Sequence, residues 1–144
     1  MPRTPDQMAS FYEARGFPAP MITALKQECF FTVRIHNRRT DVAWLELANW
    51  SFSHDGKPIA RLHRDAWQQR WQEMNMPMAS RSTFRWTLLP ETLDYLPDEE
   101  EGGNIILPRV DGNFHLHAIF KTGENKLGPQ IRIDFPAFSC ANNP

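Results

Sequence analysis

The histidines of the segment His115-Leu116-His117 are the clearest pair of potential metal ligands in this chain. In a strand, residues two positions apart point to the same side, which places the two imidazoles roughly 6–7 Å apart. Two imidazoles at this spacing suit Cu(II), Zn(II) or Ni(II). His36 falls on the polar face of another predicted strand and would join the pair if the two strands were neighbours. The alternative is that His115 and His117 are solvated side chains on a half-exposed strand.

Methionines alternate with other residues in the segment Met74-Asn75-Met76-Pro77-Met78, which follows a predicted helix. Thioether sulfur is a soft ligand, so three methionines spaced in this way could bind Cu(I). Methionine also fills irregular gaps between a helix and a sheet, and this is the structural alternative. The sequence therefore requires no cofactor, and copper is the metal that a site of these histidines and methionines would favour.

The remaining polar groups give little support for catalysis. The run Asp98-Glu99-Glu100-Glu101 has enough oxygen atoms for a hard cation, but its spacing matches no EF-hand. Contiguous like charges usually stay solvated in a loop, and such a loop could attract a basic partner. Glu46 is expected to pair with Arg34 across neighbouring strands. The chain has no Gly-x-Ser-x-Gly motif and no evident histidine base for Cys29, so we predict that it is not an enzyme.

Trp67 and Trp71 lie four residues apart, on one face of a predicted helix. We expect the two indoles to cover the sheet, because large aromatic side chains dominate the apolar area that a domain buries. In the alternative, the indoles are exposed and form an anchor surface for a protein partner together with Arg64 and Arg70. Tryptophan and arginine are enriched in binding hot spots, which keeps this alternative open.

Alternating residues predict the strands that would position these groups. Cys29–His36 alternates apolar and polar side chains, Asn37–Asp41 is typical of a turn, and Val42–Trp50 returns, so we predict a hairpin. Further strands are predicted at 59–62, 82–89, 104–107, 113–122 and 131–135. About seven strands with frequent turns and few helices predict a mainly β fold of the immunoglobulin-like antiparallel β-sandwich type.

Two short N-terminal helices and one inserted helix complete the predicted fold. Thr4-Pro5-Asp6-Gln7 has the spacing of a capping box, with proline at the first helical position. A second helix is expected from Pro20, and a third at about residues 64–74, inserted at one end of the sandwich. We predict a single domain over 1–144, with a helical cover at 1–28, the sandwich at 29–140 and a tail at 141–144.

The two cysteines bear on the cellular compartment. Cys29 opens the first predicted strand and Cys140 follows the last one, so a disulfide between them would join the ends of the sandwich. Disulfides persist in oxidising compartments, which favours a periplasmic or extracellular location. The N-terminus has no secretory signature. The chain is therefore either a mature exported domain, compatible with a lipid anchor upstream, or a cytoplasmic protein with two buried thiols.

Composition narrows the classes of partner. The net charge of −1 and the pI near 6.5 argue against nucleic-acid binding, which depends on a positive field. No apolar run approaches the roughly 18 residues needed to span a membrane. The leading hypothesis is a non-catalytic, extracytoplasmic module that binds another protein or assembles with copies of itself. A periplasmic copper-handling protein is the second hypothesis, and a small hydrolase or transferase is the third.

Overall fold

In the computed structural model, which describes every residue from Met1 to Pro144, the chain forms nine strands and four α-helices. The strands are β1 (Pro2–Arg3), β2 (Glu28–His36), β3 (Ala43–Glu46), β4 (Ser51–His54), β5 (Lys57–Ile59), β6 (Thr92–Tyr95), β7 (Glu100–Pro108), β8 (Asn113–Thr122) and β9 (Ile131–Ser139). The helices are α1 (Pro5–Glu13), α2 (Ala19–Lys26), α3 (Arg64–Glu73) and α4 (Met78–Thr87). The prediction of a mainly β fold is confirmed.

The strands form two antiparallel sheets. The small sheet consists of β1, β2 and β7, with β2 in the centre. In the large sheet β8 pairs with β9 along one edge, whereas β3 and β4 pair with different halves of its other edge. β6 lies outside β3, and β5 lies outside β4. A 3₁₀ turn at Leu47–Asn49 separates β3 from β4, so these short strands are the two halves of one interrupted strand.

The apolar faces of the two sheets pack against each other and form the larger core. Phe31 of the small sheet contacts Phe114 and Phe138 of the large sheet, with ring centroids 5.9 and 4.8 Å apart in edge-to-face geometry. Ile105 and Leu107 of β7 are buried in the same cluster. Buried aromatic rings in this geometry add attraction beyond the apolar area that they remove from water. The two sheets therefore form one sandwich with a shared interior.

The four helices cover the other face of the small sheet. Successive residues of a strand point to opposite sides, so Phe30 of β2 faces the helices while Phe31 faces the large sheet. The largest side chains that the helices bury are Tyr12, Trp67, Trp71 and Phe84. The molecule is therefore built in three layers, and the small sheet is the middle one.

The hairpin predicted within Cys29–Trp50 is wrong, because β2 and β3 belong to different sheets. The side-chain amide of buried Asn37 donates to the carbonyls of Tyr95 and Asp41. Its oxygen accepts the backbone N–H of Arg39, so Asn37 holds the chain where it passes from the small sheet to the large one. Alternation in a sequence indicates which side chains of a strand are buried, but not which strand is its neighbour.

The strand predicted at 82–89 is also wrong, because α4 occupies most of this segment. Phe84 and Leu88 are both buried, and their spacing of four residues fits a helix as well as an alternating strand. The exposure of Trp86 distinguishes a helix from a strand. A strand would turn this side chain inward beside Phe84, whereas it is 82% exposed. Pro77 occupies the N-cap of α4, so the residue expected to end one helix also precedes the next. The predicted single inserted helix is therefore a helical pair, α3 and α4.

The predicted disulfide is confirmed. Cys29 of β2 is bonded to Cys140, which follows β9 directly, and their Cα atoms are 5.5 Å apart. The bond links the small sheet to the edge strand of the large sheet at one end of the sandwich. Next to this end, a β-bulge between Phe135 and Phe138 turns both rings towards the interior although they are three residues apart. Pro136 lies in the bulge, where the missing backbone N–H is tolerated.

Truncation of two aromatic residues on α4 tests the helical assignment. Phe84→Ala should lower the free energy of unfolding by about 3–5 kcal/mol, because it leaves a cavity in the helical core. Trp86→Ala should change it by less than about 1 kcal/mol, because that indole is exposed. Urea denaturation of both variants measures the difference. Equal losses would contradict the helix and support the alternating strand.

Removal of the disulfide should lower the free energy of unfolding by about 2–5 kcal/mol, because the bond closes a long loop in the unfolded chain. The variant is the double substitution Cys29→Ser and Cys140→Ser, compared with the wild type by denaturant titration. A reductant should lower the transition midpoint of the wild type and leave that of the double variant unchanged. A wild-type midpoint that is insensitive to complete reduction would contradict the expectation.

Candidate functional site

An apolar groove of about 650 Å³ lies between the two sheets. It is lined by β2 and the following loop on one side, and by β4, β8 and β9 on the other. The apolar lining includes Phe31, Val33, Ile35, Phe120, Ile133 and Phe135. Phe138 closes the disulfide end by its contact with Phe31, whereas Ile133 and Phe135 are 40% and 50% exposed. A concave surface with exposed apolar side chains is typical of a binding site.

Two strand edges with unpaired backbone groups border this groove. β9 pairs only with β8, so its outer edge is free along the whole strand. The outer edge of β2 is covered by β1 at Phe30 and Phe31, and by Met1 at Thr32. Beyond Thr32, from Val33 to His36, this edge has no strand partner. Unpaired edges of this kind can accept a strand from another chain.

Positive charges collect at the open end of the groove. Three arginines, Arg34, Arg38 and Arg39, are among the residues that line the groove there. Arg34 pairs with Glu100 at 2.9 Å, and Arg39 pairs with Asp41 at 2.7 Å. The exposed Arg38 takes part in neither pair. This end of the groove is therefore suited to an anionic group on a ligand.

His115, His117 and Asp134 come together on the opposite, outward face of the large sheet. His117 lies directly across from Asp134 in the pairing of β8 with β9. Nε2 of His115 and Nδ1 of His117 lie 2.5 and 2.9 Å from the same atom, Oδ1 of Asp134. The two imidazole rings are stacked, with centroids 4.3 Å apart.

Asp134 was missed in the sequence, although a signal for it exists. It lies between the apolar residues Ile133 and Phe135, so alternation turns it to the polar face of its strand. Consecutive strands often pair, which would have brought this polar face beside the two histidines of β8. The register that puts Asp134 opposite His117 depends on the bulge and was not predictable.

The other predicted metal ligands lie elsewhere in the fold. His36 ends β2 in the small sheet, where its Nε2 is 2.8 Å from Oδ1 of Asp98. Met74 and Met76 pack against the helical core, and Met78 is exposed at the start of α4. The helices and the histidine pair are on opposite sides of the small sheet. The structure therefore brings His115 and His117 together but joins none of the methionines to them.

The alternative of an exposed tryptophan anchor is corrected by the burial of both indoles. Trp67 and Trp71 are 1% and 0% exposed, because α3 turns this face towards Phe84 and the small sheet. Arg70 lies over the Trp67 ring, 5.0 Å from its centroid, as a cover on the outer side. Arg64 donates to the carbonyl of Arg85, and so connects α3 with α4. The helical layer in this region is core, as the favoured interpretation of the two indoles predicted.

The predicted acidic loop 98–101 is partly strand. Glu100 and Glu101 begin β7, where they lie opposite His36 and Ile35 of β2. Glu100 pairs with Arg34, as described above, and Asp98 bonds His36. Two members of the run therefore hold the open end of the small sheet together.

Glu46 pairs with Lys121 and Lys126, at 3.4 and 2.6 Å. The prediction that Glu46 pairs with Arg34 is wrong, because Glu46 lies in the large sheet and Arg34 in the small sheet. A hydrogen bond from Lys126 lowers the pKa of Glu46 despite some desolvation. This carboxylate is thus part of a surface ion-pair network.

Arg61 and Glu91 form a half-buried ion pair that the sequence did not indicate. Both terminal nitrogens of Arg61 donate to the carboxylate, at 2.8 and 2.6 Å. Glu91 also accepts the backbone N–H of Arg64 at the first residue of α3, 3.0 Å away. Burial raises the pKa of Glu91, but the bonds from Arg61 and Arg64 outweigh it, so the pKa lies below the ordinary value of 4.5. The pair anchors the start of the helical pair to the segment before β6.

Comparison with known proteins gives no relative: the chain matches neither a family model, nor a curated protein, nor a solved structure. None of its helices has the length and apolar character needed to cross a membrane.

The lowered pKa of Glu91 predicts a pH-dependent contribution to stability. A carboxyl group with a depressed folded-state pKa stabilises the fold above its unfolded pKa and loses this contribution as pH falls through the folded pKa. Stability of the wild type should therefore decline from about pH 5 downward, and Glu91→Gln should show a smaller decline. At neutral pH the same substitution should cost about 1–3 kcal/mol, because it weakens charge-assisted hydrogen bonds.

Glu13→Gln is the matched control, because Glu13 is exposed on α1. It should change stability by less than about 0.5 kcal/mol and should keep the wild-type pH profile. Thermal unfolding of the three proteins over a pH series measures both effects. Identical profiles for Glu91→Gln and the wild type would contradict the role given to Glu91.

Proposed function

We propose that this protein is a non-catalytic, extracytoplasmic module that binds an extended segment of a partner protein in the groove between its sheets. The observation that carries the proposal is the combination of an apolar groove with two unpaired strand edges, those of β9 and of Val33–His36. An apolar groove alone would suit many ligands. Free backbone donors and acceptors beside it favour a ligand that itself has a backbone.

In this mode of binding, the free edge of β9 is the part of the protein that binds the partner's backbone. A partner strand beside β9 forms main-chain hydrogen bonds with its free edge, and every second side chain of the partner enters the groove. Ile133 and Phe135, which are partly exposed, become covered by these side chains. Burial of this apolar surface provides affinity at about 25 cal/mol per Å² of area removed from water, less the cost of ordering the partner.

Charge selects among partner segments. The exposed Arg38 lies at the open end of the groove, and the carboxylates of Glu100 and Asp41 already have other arginine partners, Arg34 and Arg39. A partner segment with an acidic residue at one end and alternating apolar residues beyond it complements this arrangement. Electrostatic complementarity of this kind sets orientation and partner choice more than raw affinity.

The fold and the compartment belong to the same proposal. The two facing antiparallel sheets support an immunoglobulin-like sandwich, a class of domain that commonly displays surfaces for recognition. The disulfide between Cys29 and Cys140 supports a periplasmic or extracellular location, because such bonds are rare in a reducing cytosol. Fold and compartment alone assign no function, so the groove remains the decisive feature.

The test uses a synthetic octapeptide of alternating valine and threonine with one terminal aspartate, titrated into the full chain and followed by amide hydrogen exchange. Bound peptide should slow exchange at the free edge of β9, because it pairs with those N–H groups. Phe135→Glu should weaken binding roughly tenfold or more, since it puts a charge into the apolar groove. Leu127→Glu is the matched control and should bind as the wild type does, because Leu127 is 85% exposed outside the groove.

Three outcomes would overturn the proposal. Equal affinity of the Phe135→Glu and Leu127→Glu variants would remove the groove as the binding site. Saturable binding of a fatty acid without protection of β9 would replace the protein partner with a lipid. A wild-type dimer in light scattering that Phe135→Glu converts to a monomer would show that a second copy of the chain occupies the groove.

A further inference from the structure

We propose that His115, His117 and Asp134 form a binding site for one divalent late transition-metal ion on the outward face of the large sheet. Two imidazole nitrogens and one carboxylate oxygen are donors that Cu(II), Ni(II) and Zn(II) share. The candidate ligand atoms all lie within 4.8 Å of one another. Bonds of about 2.0–2.2 Å to one ion place neighbouring donor atoms about 3 Å or more apart. The two nitrogens, now 2.5 and 2.9 Å from Oδ1 of Asp134, therefore have to move slightly away from it, and small rotations of the partly exposed side chains supply this movement.

The backbone of the sheet places the three donors before any ion arrives. His115 and His117 are two residues apart on β8, so the strand itself points them to one side. The pairing of β8 with β9 puts Asp134 directly opposite His117. Because no loop has to close around the ion, binding needs only side-chain adjustment. This is the kind of rigid support that metal sites need for affinity.

The contact of both imidazoles with one carboxylate oxygen shows that all three donors converge on one small region of the sheet surface. In the protein, Oδ1 of Asp134 forms a hydrogen bond with Nε2 of His115 and lies 2.9 Å from Nδ1 of His117. An ion at the centre of these atoms binds the nitrogen lone pairs, and any protons that the nitrogens carried pass to solvent. The carboxylate then compensates the charge of the ion instead of orienting imidazole protons.

The site has three protein ligands and remains open to solvent. The side chain of His117 is 56% exposed, so the remaining coordination positions are available to water or to a donor from another molecule. Closed structural zinc sites have four protein ligands, and this site differs from them in that respect. Affinity should follow the general order of the divalent metals, with Cu(II) bound more tightly than Ni(II) or Zn(II).

The ion would also join β9 to β8 from the polar side. β9 is the edge strand that borders the groove, and its apolar side chains face the interior. A ligand bond between the two strands adds to their backbone pairing and should slow local opening of β9. The metal site does not depend on the proposed partner binding and is tested separately.

The test titrates the untagged 144-residue chain with Cu(II) at about pH 7.5, because metal ions compete with protons for their ligands. Isothermal calorimetry should give one equivalent, and electron paramagnetic resonance should show coupling to nitrogen ligands. His117→Ala and Asp134→Asn should each weaken binding by at least roughly tenfold. His36→Ala is the matched control and should leave binding unchanged, because His36 also contacts a carboxylate, Asp98, but has no second histidine beside it.

The substitutions should remove metal ligands without unfolding the protein, so a loss of binding can be attributed to the site. All the substituted side chains are at least partly exposed, so each variant should fold, and circular dichroism is the measurement that checks this. Equal affinity of the wild type and His117→Ala would overturn the proposal, as would loss of binding in His36→Ala. In the presence of Cu(II), amide exchange in β9 should slow for the wild type and for His36→Ala but not for His117→Ala.

Discussion

The packing of Phe31 between the two sheets is the interaction on which the rest of the structure depends. Its ring meets Phe114 and Phe138 edge-to-face, while the preceding residue, Phe30, enters the helical core. β2 therefore belongs to both cores, and the small sheet has no solvated face along this part of the strand. Loss of this contact would remove the aromatic cluster that packs the two sheets together at this end. The disulfide of Cys29 reinforces the same end of the sandwich.

The sandwich is closed at the disulfide end and open at the other end. Phe138 fills the space beside Phe31, but beyond the bulge the strand carries Ile133 and Phe135, which are only partly covered. No strand pairs with the outer edge of β9 or with β2 beyond Thr32, and the groove lies beside these two edges. β8 and β9 thus carry two different surfaces, an apolar one facing the groove and a polar one with the histidine pair. Alternation of side chains along a strand is sufficient to keep these surfaces apart.

Features that depend on local pattern were predictable from the sequence. Alternation along β8 correctly turned Phe114 and Leu116 inward and the two histidines outward, and the capping box at Thr4 is present. The disulfide was predictable because both cysteines lie at the ends of strands. The favoured burial of Trp67 and Trp71 followed from their helical spacing.

Features that depend on which strand or helix packs against which other one were not predictable from the sequence. The pattern of β2 and β3 fits a hairpin, yet the buried amide of Asn37 directs the chain into a second sheet. A pair of apolar residues four apart fits both a helix and a strand, so the sequence predicts a strand where the structure has α4. The expected pairing of Glu46 with Arg34 depends on the same hairpin, and in the structure Glu46 pairs with Lys121 and Lys126 instead. The groove is the apolar surface that the two sheets leave exposed between them. Its presence depends on how the sheets pack, so the pattern of a single segment does not predict it.

The central claim is that the two sheets are closed beside the disulfide and open at the other end. The most direct measurement is solvent paramagnetic relaxation enhancement of side-chain protons in the free protein, with a soluble gadolinium chelate as the probe. We predict strong enhancement at Ile133 and Phe135 and weak enhancement at Phe138 and Phe114, in line with their exposure. Uniformly weak enhancement along β9 would mean that the sheets meet over their whole length, and it would contradict the groove and the function proposed for it.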